Sequence, residues 1–209
     1  MPDRVVVFVD YQNMYRSARR TFHTHEADPH WCGQVSPIAL GEHLAADSPY
    51  DRQLAEIRIY RGVASNQRDP KGYAAARRQI SVWTGSSSKV TVVDRLLQYP
   101  QGWPNDHLAG ERPREKGIDV AMSMDFAIMA LRGQYDVGIM FSGDTDLKPS
   151  LEFVADLTRS RGKPRAEVAA WSCAGQHNRR LSIQSANLYC HWVGEATYGS
   201  IRDNTSYSA

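Results

Sequence analysis

The stretch Val5-Val6-Val7-Phe8-Val9-Asp10-Tyr11-Gln12-Asn13 decides the fold. Its five leading residues are apolar, do not alternate with polar ones, and are mostly β-branched. A strand with one wet face alternates, so this one should be buried on both faces, as in a parallel sheet covered by helices. The run ends in Asp10, which places a carboxylate at the strand's C-terminal end. A second stretch behaves the same way. In Met140-Phe141-Ser142-Gly143-Asp144-Thr145-Asp146 an apolar strand delivers two carboxylates just past its end, and Gly143 offers a place for the chain to bend.

Further strands are expected at 56–61, 90–96, 135–141, 166–171 and, as a short last one, 189–193. Helical patterns fall between them at 13–20, 37–46, 70–83, 119–131, 147–160 and 178–186. Asp69 and Pro70 form an N-terminal signal for the third of these. Strands alternating with helices predict an α/β fold, a three-layer α/β/α sandwich around a mainly parallel sheet. The predicted strand order is 3-2-1-4-5. The switch point then lies between the strand ending at Asp10 and the strand ending at Phe141, where such sheets build their sites. Residues 21–36 and 98–116 read as irregular excursions. Residues 1–195 are expected to form one domain and 196–209 a loosely held tail.

The bulk numbers set limits. A chain of 209 residues, 42% hydrophobic, supports one substantial core. A balance of 25 Lys+Arg against 23 Asp+Glu gives a net charge of +2, so basic surface can arise only by local clustering. Three widely spaced cysteines argue against a disulfide framework and for a reducing, cytoplasmic setting. No apolar run is long enough for a bilayer span, so no membrane partner is expected.

Asp10, Asp144 and Asp146 gather at the predicted switch point, and Asp119 begins the helix between their strands. A single Asp at a strand end is usually a turn or helix cap. Several at one rim repel each other, and each would sooner protonate than share a dry pocket. A hard divalent cation, Mg2+ or Mn2+, resolves that conflict through oxygen ligands. Such a site suits phosphodiester hydrolysis by an activated water. Asn13, one helical turn beyond Asp10, can hold a carboxylate or a water.

The blocks VFVDYQNMY, KGIDVAMSMD and YDVGIMFSGDTDLKPSLEF, in this order and spacing, resemble the NYN domain family of PIN-like ribonucleases. The resemblance extends from Arg4 to about Val193. It implies a PIN-like fold and metal-dependent cleavage of RNA. Asp10, Asp119, Asp144 and Asp146 match the family's acidic cluster as metal ligands, and Asn13 matches the polar partner of the first Asp. Asp125 matches the second acid of the middle block, in a role behind the ligands or in helix packing. No ligand is assigned at Asn187, where the family often carries an acid.

Rival readings fare worse. A haloacid-dehalogenase-like phosphatase needs an Asp where Gln12 stands. Ser142 lacks a nucleophile elbow and reads as a turn residue that can bond a carboxylate or phosphate. His23, His25, His30 and Cys32 match no standard zinc spacing and read as a polar loop. Among the basic residues, Arg16, Arg61, Lys116 and Lys148 fall nearest the rim and are the candidates for RNA phosphates. Tyr11, Tyr15 and Trp103 are candidates for base stacking or for packing. The resulting expectation is a metal-dependent ribonuclease, endonucleolytic, acting on single-stranded or looped RNA, as a monomer or homo-oligomer. The alternative is a non-catalytic RNA-binding module on the same fold.

Overall fold

The structure, a computed structural model, describes residues 1–23, 27–105, 110–175 and 179–208. The strands β1 (Asp3–Asp10), β2 (Arg52–Val63), β3 (Val90–Leu96), β4 (Val137–Phe141), β5 (Arg165–Trp171) and β6 (Cys190–Val193) form one sheet in the order β3-β2-β1-β4-β5-β6. Every pairing in it is parallel. The predicted order is found, with the last short strand added beside β5. The helices are α1 (Tyr11–Phe22), α2 (Pro37–Ala46), α3 (Pro70–Ser86), α4 (Ile118–Leu131), α5 (Lys148–Arg161) and α6 (Glu195–Ile201). The whole is a three-layer α/β/α architecture around an all-parallel sheet.

The unalternating run of β1 has the meaning its composition suggests. Val5, Val7 and Val9 enter a core with Met14 and Ala18 of α1, Leu40 and Leu44 of α2, and Tyr198 and Ile201 of α6. Val6 and Phe8 point the other way, against Ile118, Met122 and Phe126 of α4 and Leu151 and Val154 of α5. Successive side chains of a strand serve opposite faces, so a strand covered on both has no position for a polar residue. The Phe8 ring meets Phe126 edge-on at 5.0 Å between centroids.

Three expectations change. No helix forms over the described residues of 178–186; Asn178 itself lies outside them. Leu181 and Ile183 are buried while Ser182 between them is exposed, which is the period of extended chain. The crossover from β5 to β6 is therefore irregular, pinned by apolar side chains. Over its described residues, 196–208, the expected tail does not hang free, since α6 buries Tyr198 and Ile201 and Tyr207 is only 8% exposed. Strand β2 runs well beyond the predicted 56–61, because it pairs with β1 over Asp3↔Arg52 to Asp10↔Tyr60 and with β3 as far as Val63↔Leu96.

At the N-terminal end of the sheet, charges are neutralised in pairs. Glu167 of β5 accepts two hydrogen bonds from Arg52, at 2.9 and 2.7 Å, and sits 2.8 Å from His191 Nε2. The His191 Nδ1 lies 2.9 Å from Asp47. Burial alone would raise the Glu167 pKa, but the bonds from His191 and Arg52 outweigh it and hold the carboxyl below its ordinary value. The Arg52 side chain is 2% exposed. Glu167→Gln leaves that guanidinium buried without its counter-charge and is expected to cost about 3–5 kcal/mol in urea unfolding.

Candidate active site

The C-terminal end of the sheet is built from two strand ends tied together. Val9 of β1 stands in register with Phe141 of β4, so the residues leaving each strand meet. Ser142 Oγ donates to Asp10 Oδ2 at 2.9 Å, and the Gly143 N–H donates to Asn13 Oδ1 at 2.9 Å. Asp10 is also the N-cap of α1, since its Oδ1 accepts from the Asn13 N–H at 3.0 Å. Asp144 caps the single 3-10 turn Thr145–Leu147, accepting from the Asp146 N–H at 3.0 Å, while its own N–H donates to Ser142 Oγ at 3.0 Å. Ser142 is thus the hinge of the site, donating to one acid and accepting from the other. Gly143 keeps a backbone that other residues could adopt: its φ is not positive, and a Cβ there would meet Asn13 Oδ1 at an ordinary 3.5 Å.

Asp119 enters in the first turn of α4, after Gly117 takes the left-handed conformation at φ 73°. The electrostatics show which acids share space. Asp10 is 5% exposed, and burial, opposed by its bonds from Asn13 and Ser142, pushes its pKa up to about 6, with Asp119 and Glu115 adding repulsion. Burial likewise raises Asp119, and Asp144 and Asp146 raise it further. The four predicted acids therefore face one rim. None of them forms an ion pair among the described residues, whereas Asp3, Asp136 and Glu167 at the other end of the sheet are all paired.

Glu115 was not anticipated. Its carboxylate accepts from the Gly62 N–H at 2.5 Å, and its pKa is raised by burial and by Asp119, against the pull of Gly62, Arg61 and Arg16. A Cβ at residue 62 would stand 2.6 Å from Glu115 Cγ, so glycine is what lets the acid approach β2. In sequence it sits in the polar excursion before α4, where an acid reads as solvated. Its only signal is its place four residues before Asp119. Arg95 is a second omission: its Nη1 would lie 3.2 Å from a Cβ on Gly117, beside the start of α4.

Other predicted residues divide. Arg16 and Lys116 are exposed, and Arg16 acts on Glu115. Lys148 opens α5 and is half-buried. Arg61 is buried at 8% exposure rather than displayed on the surface. Asp125 lies away from the cluster, accepting from Tyr60 Oη at 2.7 Å and Arg58 Nη2 at 2.9 Å, and so fastens α4 to β2. Tyr11 is packed, stacked on Tyr15 and edge-on to Trp83 at 5.2 Å. His23 bonds the Tyr198 hydroxyl at 2.8 Å, and His25 lies outside the described residues.

No three His, Cys, Asp or Glu side chains among the described residues stand close enough together to form a ready-made metal cage. The donor chemistry still fits one kind of ion. All the acids offer oxygen, none has a cationic partner, and three have their protonated form favoured by burial and mutual repulsion. Mg2+ keeps several of its waters and needs only a few carboxylates, so a loose acidic rim suits it better than a zinc-type cage.

A family model described as NYN domain matches residues 4–170. No curated protein and no solved structure matches the chain. The match covers β1, β4 and the whole acidic rim, and ends within β5.

The raised Asp10 pKa gives a signed prediction. Between the ordinary value of 3.8 and about 6 the folded carboxyl holds a proton that the unfolded chain has released. Stability of the metal-free protein should therefore fall as pH rises through that window, by about 3 kcal/mol in total. Asp10→Asn should flatten that part of the profile in urea titrations, and Asp119→Asn should lower the Asp10 pKa by removing a like charge. An Asp10 carboxyl carbon that titrates near 4 by NMR would contradict the assignment.

Proposed function

The chain belongs to the NYN domain family of PIN-like ribonucleases, and from that premise we propose that it is a metal-dependent ribonuclease that hydrolyses RNA phosphodiester bonds endonucleolytically. One observation carries the reading. Asp10 is buried, unpaired and lifted to about 6 beside other unpaired acids, at the switch point of a parallel sheet. A structural role does not require that cost, and a Ser or Asn would cap α1 as well.

Asp10, Asp119, Asp144 and Asp146 are the residues that would hold Mg2+ or Mn2+, with Glu115 beside them. When bound, the ion supplies charge neutralisation at the scissile phosphate and acidifies a water. The chain's own residues supply position. Ser142 and the Asn13 N–H fix both oxygens of Asp10 while leaving each with a free lone pair. The Asp146 N–H does the same for one oxygen of Asp144. Asn13 is held through its carbonyl oxygen by Gly143, and its amide nitrogen would serve as a donor for substrate or water.

A groove of about 560 Å3 adjoins the acids and suits the substrate strand. Asn13, Ser142 and Gly143 line it together with the exposed Arg20 and Arg179, so cations are available where phosphates would lie. No helix is long and apolar enough to cross a membrane among the described residues.

Asp144→Asn should reduce cleavage of labelled single-stranded RNA in Mn2+ by on the order of 100-fold or more, since even partners behind metal ligands are worth 10–100-fold. Circular dichroism and melting temperature in EDTA should match the wild type. Mn2+ should raise the wild-type melting temperature and raise that of the variant less. RNA binding in EDTA with no cleavage in any divalent metal would instead identify a non-catalytic RNA-binding module.

A further inference from the structure

Beside the acidic rim, a cavity of about 210 Å3 opens between α1, α3 and the C-terminal residues Tyr207 and Ser208. Arg61 lines it and is 8% exposed. The guanidinium lies over the Tyr11 ring, 4.6 Å from its centroid, and 5.6 Å from that of Trp83. Its Nη1 donates to Gln79 Oε1 at 2.6 Å, and its Nε has no hydrogen-bond partner among the described residues. Gln79 is held in turn, donating to Gln34 Oε1 at 2.9 Å and to the Tyr11 hydroxyl at 3.2 Å.

What this cation lacks, among the described residues, is a counter-charge. Arg61 makes no ion pair among the described residues, and no acidic side chain lines the cavity. Glu115 and Asp94 act on it only from a distance, and burial lowers its pKa. Arginine does not shed its proton inside proteins, so the charge cannot be relieved by neutralisation. Removing a guanidinium from water without a paired anion is costly. The Tyr11 face and the Gln79 amide fix its plane, as they would for recognition of a tetrahedral anion by the remaining edge.

We propose that this cavity is a phosphate subsite for RNA, in which Arg61 binds a phosphate group of the strand whose scissile bond lies at the acidic rim. The proposal rests on the ribonuclease reading above. Tyr11 follows Asp10 directly in the chain, so the subsite and the cluster share one edge of the molecule. The Tyr11–Tyr15 stack beside it offers an aromatic surface for the attached nucleotide.

The test is binding without catalysis. Short single-stranded RNA labelled at its 3′ end, carrying either a 5′-phosphate or a 5′-hydroxyl, is titrated by anisotropy in EDTA over a range of salt. Arg61→Met should weaken binding about tenfold and reduce the salt slope by about one. Arg61→Lys should recover part of the loss, because charge returns without the planar fork. Loss confined to the 5′-phosphorylated strand assigns the site to a chain end, and equal loss on both strands assigns it to an internal phosphodiester. Arg61→Met should melt at or above the wild-type temperature, since it removes an unpaired buried charge. Unchanged affinity and slope in both variants would overturn the subsite, as would a lower melting temperature with unchanged binding. Cleavage in Mn2+ is scored separately. Arg61-dependent binding without wild-type cleavage sinks the nuclease reading and upholds the subsite, while cleavage with no Arg61 effect sinks the subsite alone.

Discussion

The parallel register between β1 and β4 is the constraint on which the site depends. With Val9 opposite Phe141, Ser142 arrives beside Asp10 and Gly143 beside Asn13, and two hydrogen bonds close the gap between strand ends distant in the chain. A slip of one residue would do more than break those bonds. It would turn Val6 and Phe8 toward the face that Val5, Val7 and Val9 occupy, and exchange the contents of two cores of different shape. The residues that bury the strand thus also fix where its terminal carboxylate stands. Packing on both faces of β1 is a positioning device for Asp10.

Capping and site-building are not rivals here. One oxygen of Asp10 satisfies the N-terminus of α1 and the other accepts from Ser142. Asp144 likewise caps a turn while facing Asp119. The cap fixes the carboxylate's rotamer, and burial in that fixed position raises its pKa. The same hydrogen bonds that pull the Asp10 value down keep it from rising further. A capping acid at a strand end is therefore a poor discriminator by itself. Its unpaired neighbours are what separate a structural cap from a site.

Much of this was legible in the sequence, for identifiable reasons. Continuous β-branched runs declare burial on both faces, and the strand order followed from placing two acid-terminated strands together. Asp10, Asp119, Asp144 and Asp146 could be grouped because each sits at the end or start of an element, where topology alone fixes position. Glu115 could not, because it lies in a Pro- and Gly-rich excursion whose path is set by the approach to Gly62. The burial of Arg61 was equally hidden. It depends on Tyr11 of α1 and on Gln79 and Trp83 of α3, distant in the chain from Arg61 or from each other, and at a strand end an arginine reads as exposed. The irregular link before β6 was misread because Leu181, Ile183 and Leu188 satisfy a helical and an extended pattern almost equally, and only the sheet's edge decides between them.

One sheet treats charge in two opposite ways. At its N-terminal end, acids meet Arg4, Arg52, Lys163 and Arg165, and Asp3, Asp136 and Glu167 ionise more readily than usual. At its C-terminal end Asp10, Glu115 and Asp119 ionise less readily, and the buried Arg61 nearby is not spent on neutralising them. An ion pair between Arg61 and Glu115 would relieve both, and none forms among the described residues. Leaving an anionic cluster and a cation side by side, each unpaired, keeps both open for ligands of opposite sign. A divalent ion and a phosphate are such a pair, and under the proposed function an RNA strand crossing this rim would bring the second to the first.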